Sequence, residues 1–220
     1  KSTDQDLKDE ISQVLAKELK AICRNNENTK TLIVGLGNWN VTPDALGPKV
    51  IDRVLVTRQF FVAYKKERDE TVANVSAISP GVMGLTGIET GEIVKGVVEK
   101  IKPDLVIAID SLASRRMERV STVIQISNTG INPGSGIGNK RIGLTEEYLK
   151  VPVIAVGVPT VVDAATMVND TMDLIISSMK KQAKVGTDFY SLLDDISKEE
   201  KYSLIKEVLE PFMPNVVVTP

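Results

Sequence analysis

Histidine is missing altogether and cysteine nearly so: the 220 residues hold no histidine and a single cysteine, Cys23. Without an imidazole no Ser-His-Asp or Cys-His nucleophile pair can be built, and the usual zinc-protease ligand sets fall away with them. One cysteine cannot make an internal disulfide framework and fits a reducing compartment. Cys23 stands beside an apolar helical stripe with no local signal for thiol activation, so it reads as a core or boundary residue. Charge of one sign is lacking too. Twenty-seven lysines and arginines against 29 aspartates and glutamates leave a net charge of −2, no broad basic field, and no case for direct nucleic-acid binding. No run approaches the roughly 18 apolar residues needed to span a bilayer, and the first twenty residues are too charged for a signal peptide. Whatever chemistry the chain performs must come from Asp, Glu, Lys, Arg, Ser, Tyr, the lone thiol or backbone groups.

What is present is organised around TLIVGLGNWNVTPDAL, residues 31–46. An apolar run stops at two glycines, which predicts a strand buried on both faces. Thr42 then reads as an N-cap, Pro43 as the first residue of a helix over 43–55, and Asp44 as part of its first turn. Two further apolar strands, 105–109 and 153–158, are followed by Asp110 and by Asp163, the latter opening a helix to residue 179. Other elements frame these three. A long amphipathic helix over 3–24 is expected to lie across the sheet. Strands are expected at 72–78 and 120–127, and Thr86 with Glu89 has the spacing of a capping box for a helix whose stripe is Ile93, Val94, Val97, Val98 and Ile101. Thr145 begins a short polar helix or turn. Ser197 and Glu200 form another box for a helix to residue 210, and VVVTP reads as an edge strand. Alternating strands and helices imply an α/β fold, a three-layer sandwich on a mostly parallel sheet. The length suits one domain. It divides into a catalytic part, 1–184, and a C-terminal helical and edge-strand extension, 185–220.

Asp44, Asp110 and Asp163 each sit at or just past the carboxyl end of a predicted central strand, where ligands bind in open α/β sheets. Two carboxylates brought together cannot both ionise cheaply near neutral pH, so one becomes an acid while the other remains a base. That is the minimum equipment for activating water against an acyl bond without histidine. Donors for an oxyanion could be backbone N–H groups, Arg115, Arg116 or Lys140. The glycine-rich NTGINPGSGIGNKR, with Gly134, Ser135, Gly136 and Gly138, is a candidate substrate loop. Aspartate is also a favoured helix cap, so each of the three has a purely structural reading, and spacing alone leaves both open. GLGN at 35–38 is no dinucleotide fingerprint, because Asn40 occupies the third glycine position. A Ser–Lys dyad of Ser111 or Ser135 with Lys140 is the remaining nucleophilic option.

Five stretches carry a resemblance: GLGNWNVTPDALGP, SAISPGVMGLTGIET, PDLVIAIDSLASR, QISNTGINPGSGIGNKR and VPVIAVGVPTVVDAATM. In this order, over residues 31–177, they resemble the germination proteases of spore-forming bacteria, and KEVLEPFMPNVVVTP resembles that family's C-terminal region. The resemblance implies an endopeptidase of the spore core that degrades small acid-soluble spore proteins on germination. It implies a zymogen-derived homo-oligomer, a tetramer, that needs no cofactor; any DNA contact would be made by the substrate. It places the catalytic aspartates in VTPDALGP and VIAID, hence Asp44 and Asp110; Asp163, Arg115, Arg116 and Lys140 remain supporting candidates from the reading of the residues alone. The implied fold is similar to that of hydrogenase-maturation proteases, whose metal ligands include a histidine this chain cannot supply, so no metal is expected. Against the family pattern the chain lacks the N-terminal portion with its propeptide and stops early, as a fragment or processed form would. Given the arginines that follow it, Asp110 is expected to be the ionised partner, and Asp44, beside Trp39 and Leu46, the protonated one. The rival readings are a phosphorylase-like or nucleoside hydrolase with its ligand near 35–38, and an inactive remnant of the protease.

Overall fold

The computed structural model describes residues 2–23, 29–63, 72–133, 141–182, 198–209 and 217–218. The expected substrate loop Gly134, Ser135, Gly136 and Gly138, together with Lys140 and Ser197, lies outside the described residues. The strands are β1 (Lys30–Gly35), β2 (Asn74–Ile78), β3 (Leu105–Ser114), β4 (Gln125–Ser127), β5 (Val153–Asp163) and β6 (Val217–Val218). They form one sheet in the order β2-β1-β3-β5-β4, with β6 on β5. β1 runs parallel to both β2 and β3, whereas β4 and β6 run antiparallel to β5. The helices are α1 (Ser2–Cys23), α2 (Leu46–Ile51), α3 (Arg58–Ala63), α4 (Met83–Thr86), α5 (Thr90–Ile101), α6 (Glu146–Leu149), α7 (Ala164–Gln182) and α8 (Lys198–Leu209). The sheet is mostly parallel and flanked by helices, the α/β three-layer arrangement expected. No helix among the described residues is long and apolar enough to cross a membrane.

Internal contacts divide the chain into two compact units, residues 1–111 with 124–157, and residues 112–123 with 158–220. The first has its core on Leu32, Val34, Val106 and Ala108 of the strands and on Val94 and Val98, one turn apart on α5. Burying each of these valines or leucines contributes roughly 1.5–3 kcal/mol. In the second, α7 packs on α8, and the buried Lys201 of α8 is paired with Asp173 of α7. An unpaired ammonium there would be costly.

Several boundaries differ from expectation. The helix foreseen over 43–55 is instead a 3-10 turn, Thr42–Asp44, followed by α2, and the N-cap of the turn is Val41 rather than Thr42. Pro48 explains the break: lacking an N–H, it is tolerated in the first turn of α2 but not in the middle of a helix begun at Pro43. The capping box falls on Glu89 and Glu92, not Thr86 and Glu89. The Thr86 hydroxyl is already engaged, donating to the Ile88 carbonyl at 3.0 Å. α1 forms as expected, but Leu7, Ile11 and Val14 are exposed, so its stripe does not lie across the sheet. Periodicity tells that a helix has an apolar face, not which surface that face meets. β4 is only three residues long, with 120–122 in a turn and 123–124 irregular, whereas β3 and β5 each run about five residues further than the apolar pattern suggested.

α2 lies hard against β1. A Cβ on Gly35 would stand 2.3 Å from the Gly47 carbonyl, and one on Gly47 would stand 2.2 Å from the Leu36 carbonyl. Side chains at either position would push the helix off the strand, and with it the turn that carries Asp44.

Candidate active site

β1 and β3 are neighbours, with Gly35 opposite Ile109 and the Leu36 N–H donating to the Ile109 carbonyl at 2.8 Å. The next residue of β3 is Asp110, buried at 5% exposure. From the same end of β1 the chain turns through Gly37 and Asn38 and returns in the 3-10 turn to Asp44. This return is closed by hydrogen bonds. The Asn38 N–H donates both to Asp44 Oδ2 at 2.8 Å and to the Asp44 carbonyl at 3.0 Å. The Val41 N–H donates to the Asn38 carbonyl, the Asp44 N–H to the Val41 carbonyl, and the Asn40 N–H to Asn38 Oδ1.

Gly37 is the seat of this loop. Its φ of +111° suits glycine, and a Cβ there would come within 2.0 Å of the Asp44 carbonyl oxygen and 3.0 Å of its Oδ1. The glycine that resembled part of a nucleotide fingerprint is therefore the space into which Asp44 packs. The neighbouring Asn38 N–H, which a phosphate would have used, is given to the carboxylate.

The two carboxyls act on one another. Burial raises the Asp110 pKa to about 7, with the Asp44 charge adding to the effect and the Ser111 N–H, 2.8 Å from Oδ1, opposing it. Asp44 is half-buried, and burial raises its pKa as well, but the Asn38 N–H and the positive charge of Arg141 both hold it down. Both carboxyls are thus pushed towards the neutral form, Asp110 the more strongly, which is the reverse of the order expected from the sequence. The expectation failed because it judged electrostatics by closeness along the chain. Arg115 and Arg116 belong to the second unit and are exposed, and Arg116 pairs with Glu118 at 3.4 Å. Among the described residues, the cation that acts on Asp44 is Arg141, which follows the glycine-rich loop in sequence. Its segment is anchored by the Ile142 N–H on Glu89 Oε1 at 3.3 Å and by the paired backbones of Leu144 and Ile131.

Asp163 ends β5 in the second unit, where Oδ1 accepts the Thr166 N–H at 3.2 Å and caps the start of α7. The Ser111 hydroxyl is buried and has no hydrogen-bond partner among the described residues. Because Arg141 lowers the Asp44 pKa, Arg141→Gln is expected to make the Asp44 carboxyl titrate at higher pH. Carboxyl carbon NMR of the two proteins measures this, and an unmoved Asp44 resonance would remove Arg141 from the site.

Fold and site first define a class: an α/β protein with two interacting carboxyls, one within β3 and one on the turn that follows its neighbour β1, and no imidazole to draw on. Comparison with known proteins narrows it. A family model described as germination protease matches residues 1–191. The germination protease of Caldanaerobacter subterraneus is 54% identical over 217 residues, covering 99% of this chain and 67% of the relative. That of Clostridium perfringens strain 13 is 54% identical with the same coverage. That of Bacillus subtilis is 45% identical over 253 aligned positions, covering 100% of this chain and 69% of the relative. The chain belongs to the germination protease family.

Proposed function

We propose that this chain is an endopeptidase of the spore core that begins the breakdown of small acid-soluble spore proteins at germination, with Asp44 and Asp110 as its acid–base pair. The observation that carries the reading is the unequal tuning of two interacting carboxyls: burial and the Asp44 charge push the buried Asp110 up to about 7, while the half-buried Asp44 is raised by burial against the pull of the Asn38 N–H and Arg141. Water held between them loses a proton to the ionised Asp44 as its oxygen attacks the scissile carbonyl carbon. The protonated Asp110 gives its proton to the amide nitrogen as the C–N bond breaks. The proton then rests on Asp44, and its return to Asp110 through a further water restores the pair. Arg141 offsets the negative charge that develops on the carbonyl oxygen. The active protein is a homo-oligomer, as the family resemblance implies.

Incubating the chain with a purified small acid-soluble spore protein and weighing the products tests the reading. The expected result is a defined cut that disappears in both Asp44→Asn and Asp110→Asn. A cut that persists in both variants would refute the pair.

A further inference from the structure

Arg141 stands where an anchored segment begins, and the head of α5 provides the anchor. The Ile142 N–H donates to Glu89 Oε1 at 3.3 Å. The Ile142 side chain sits over Gly91, in the first turn of α5, where a Cβ would come within 2.9 Å of Ile142 Cγ2 and 3.0 Å of its Cβ. Leu144, fully buried, then exchanges both backbone hydrogen bonds with Ile131, at 3.0 and 2.8 Å. Glu89 is itself tied to α5, its N–H donating to Glu92 Oε2 at 3.3 Å within the capping box. A helix N-cap is ordinarily Ser, Thr, Asp or Asn, whose short side chain turns back on its own helix. Glutamate is a poor choice for that task alone. Its greater length carries the carboxylate past the helix to the backbone of another segment.

We infer that Glu89 is a positioning residue of the active site: by holding the Ile142 backbone on α5 it fixes where the Arg141 guanidinium stands relative to Asp44. This rests on the reading of Asp44 and Asp110 as the catalytic pair and adds to it the residue through which the cation is set. A charge interaction weakens as the separation grows, so a segment that slides away from α5 takes the effect of the guanidinium on Asp44 with it. The other titratable group coupled to Asp44 is Asp110, on β3, which is no part of the anchor. Glu89 is not a catalytic residue; it acts through the segment it holds. Its role depends on reach, so the length of the side chain at this position matters more than its charge.

Two substitutions separate reach from charge. Glu89→Asp keeps a favoured N-cap and the negative charge but is one methylene too short for the Ile142 N–H, whereas Glu89→Gln keeps the reach and loses the charge. Carboxyl carbon NMR of aspartate-labelled protein is expected to show Asp44 titrating at higher pH in Glu89→Asp, as in Arg141→Gln, and close to its wild-type position in Glu89→Gln. Cleavage of a purified small acid-soluble spore protein should follow the same order. In Glu89→Asp kcat should fall about tenfold to a hundredfold with KM within a fewfold, and Glu89→Gln should restore most of the loss. In an Arg141→Gln background Glu89→Asp should move Asp44 no further, because the cation it positions is gone. Gly91→Ala gives a second route: alanine favours the helix while its methyl displaces Ile142, so Asp44 should shift in the same direction with Glu89 intact. An Asp44 resonance that neither Glu89→Asp nor Gly91→Ala moves would overturn the inference. So would a shift in Glu89→Gln that Glu89→Asp lacks, since the charge at 89 would then act directly, and so would a shift of equal size with and without Arg141. Cleavage that survives in both Asp44→Asn and Asp110→Asn would refute the catalytic reading instead, and the Asp44 titration would remain readable without it.

Discussion

Asp110→Asn should lose about 10²–10⁴-fold in kcat and yet be more stable than the wild-type chain above neutral pH. The two effects have one cause. In the unfolded chain Asp110 titrates near the ordinary 3.8, and in the folded chain near 7. Between those values the folded state holds a proton that the unfolded state has released, so stability falls as pH rises. The fall begins near pH 4 and levels off above about 7. A shift of about three units corresponds to something on the order of 4 kcal/mol, and the side chain is buried enough for little of it to be screened. Asparagine matches the carboxyl in shape and has no charge to desolvate, so the variant escapes that cost. Urea unfolding at a series of pH values should show the variant gaining on the wild type from pH 4 to 7. A gap that stays constant with pH would mean that Asp110 ionises normally and cannot be the acid.

Asp44→Asn should also lose about 10²–10⁴-fold in kcat, for a different reason, because it removes the base instead of the acid. The fold should survive it. Asparagine keeps an oxygen for the Asn38 N–H, and the clearance provided by Gly37 is unaffected. The electrostatic consequence falls on the partner. The negative charge of Asp44 is one of two influences raising the Asp110 pKa, so in the variant that pKa should drop, held up only by burial. Steady-state cleavage of a spore protein across pH measures the loss of rate. Turnover within tenfold of wild type at any pH would exclude Asp44 as the base.

The two aspartates were legible in the sequence because Asp110 directly follows one apolar run and Asp44 stands on the turn that follows another, and such runs make central strands of α/β sheets. The buried nature of β1 was legible as a continuous apolar run, and the stripe of α5 as a helical repeat. The charge assignment was not. Arg115 and Arg116 are close to Asp110 in sequence, but among the described residues the cation acting on Asp44 is Arg141, brought there by folding from beyond the glycine-rich loop. No local pattern marks such a partner. The role of Gly37 was likewise hidden: GLGN invites comparison with phosphate loops, and only the return of the chain to Asp44 shows what the missing side chain makes room for. Asp163 carried the same local signature as the other two and caps α7, so the signature marks strand–helix junctions in general. Adjacency in the sheet does not separate them either, since β3 neighbours both β1 and β5; what does is that Asp44 and Asp110 act on one another, whereas Asp163 Oδ1 is engaged by the Thr166 N–H.

One proton shared by two carboxyls is the claim on which the chemistry stands, and carboxyl carbon NMR tests it most directly. With aspartate carbons labelled, Asp110 should titrate near pH 7 in the wild-type chain and at distinctly lower pH in Asp44→Asn. An Asp110 resonance that titrates near 4 in both proteins, or at the same pH in both, would contradict it.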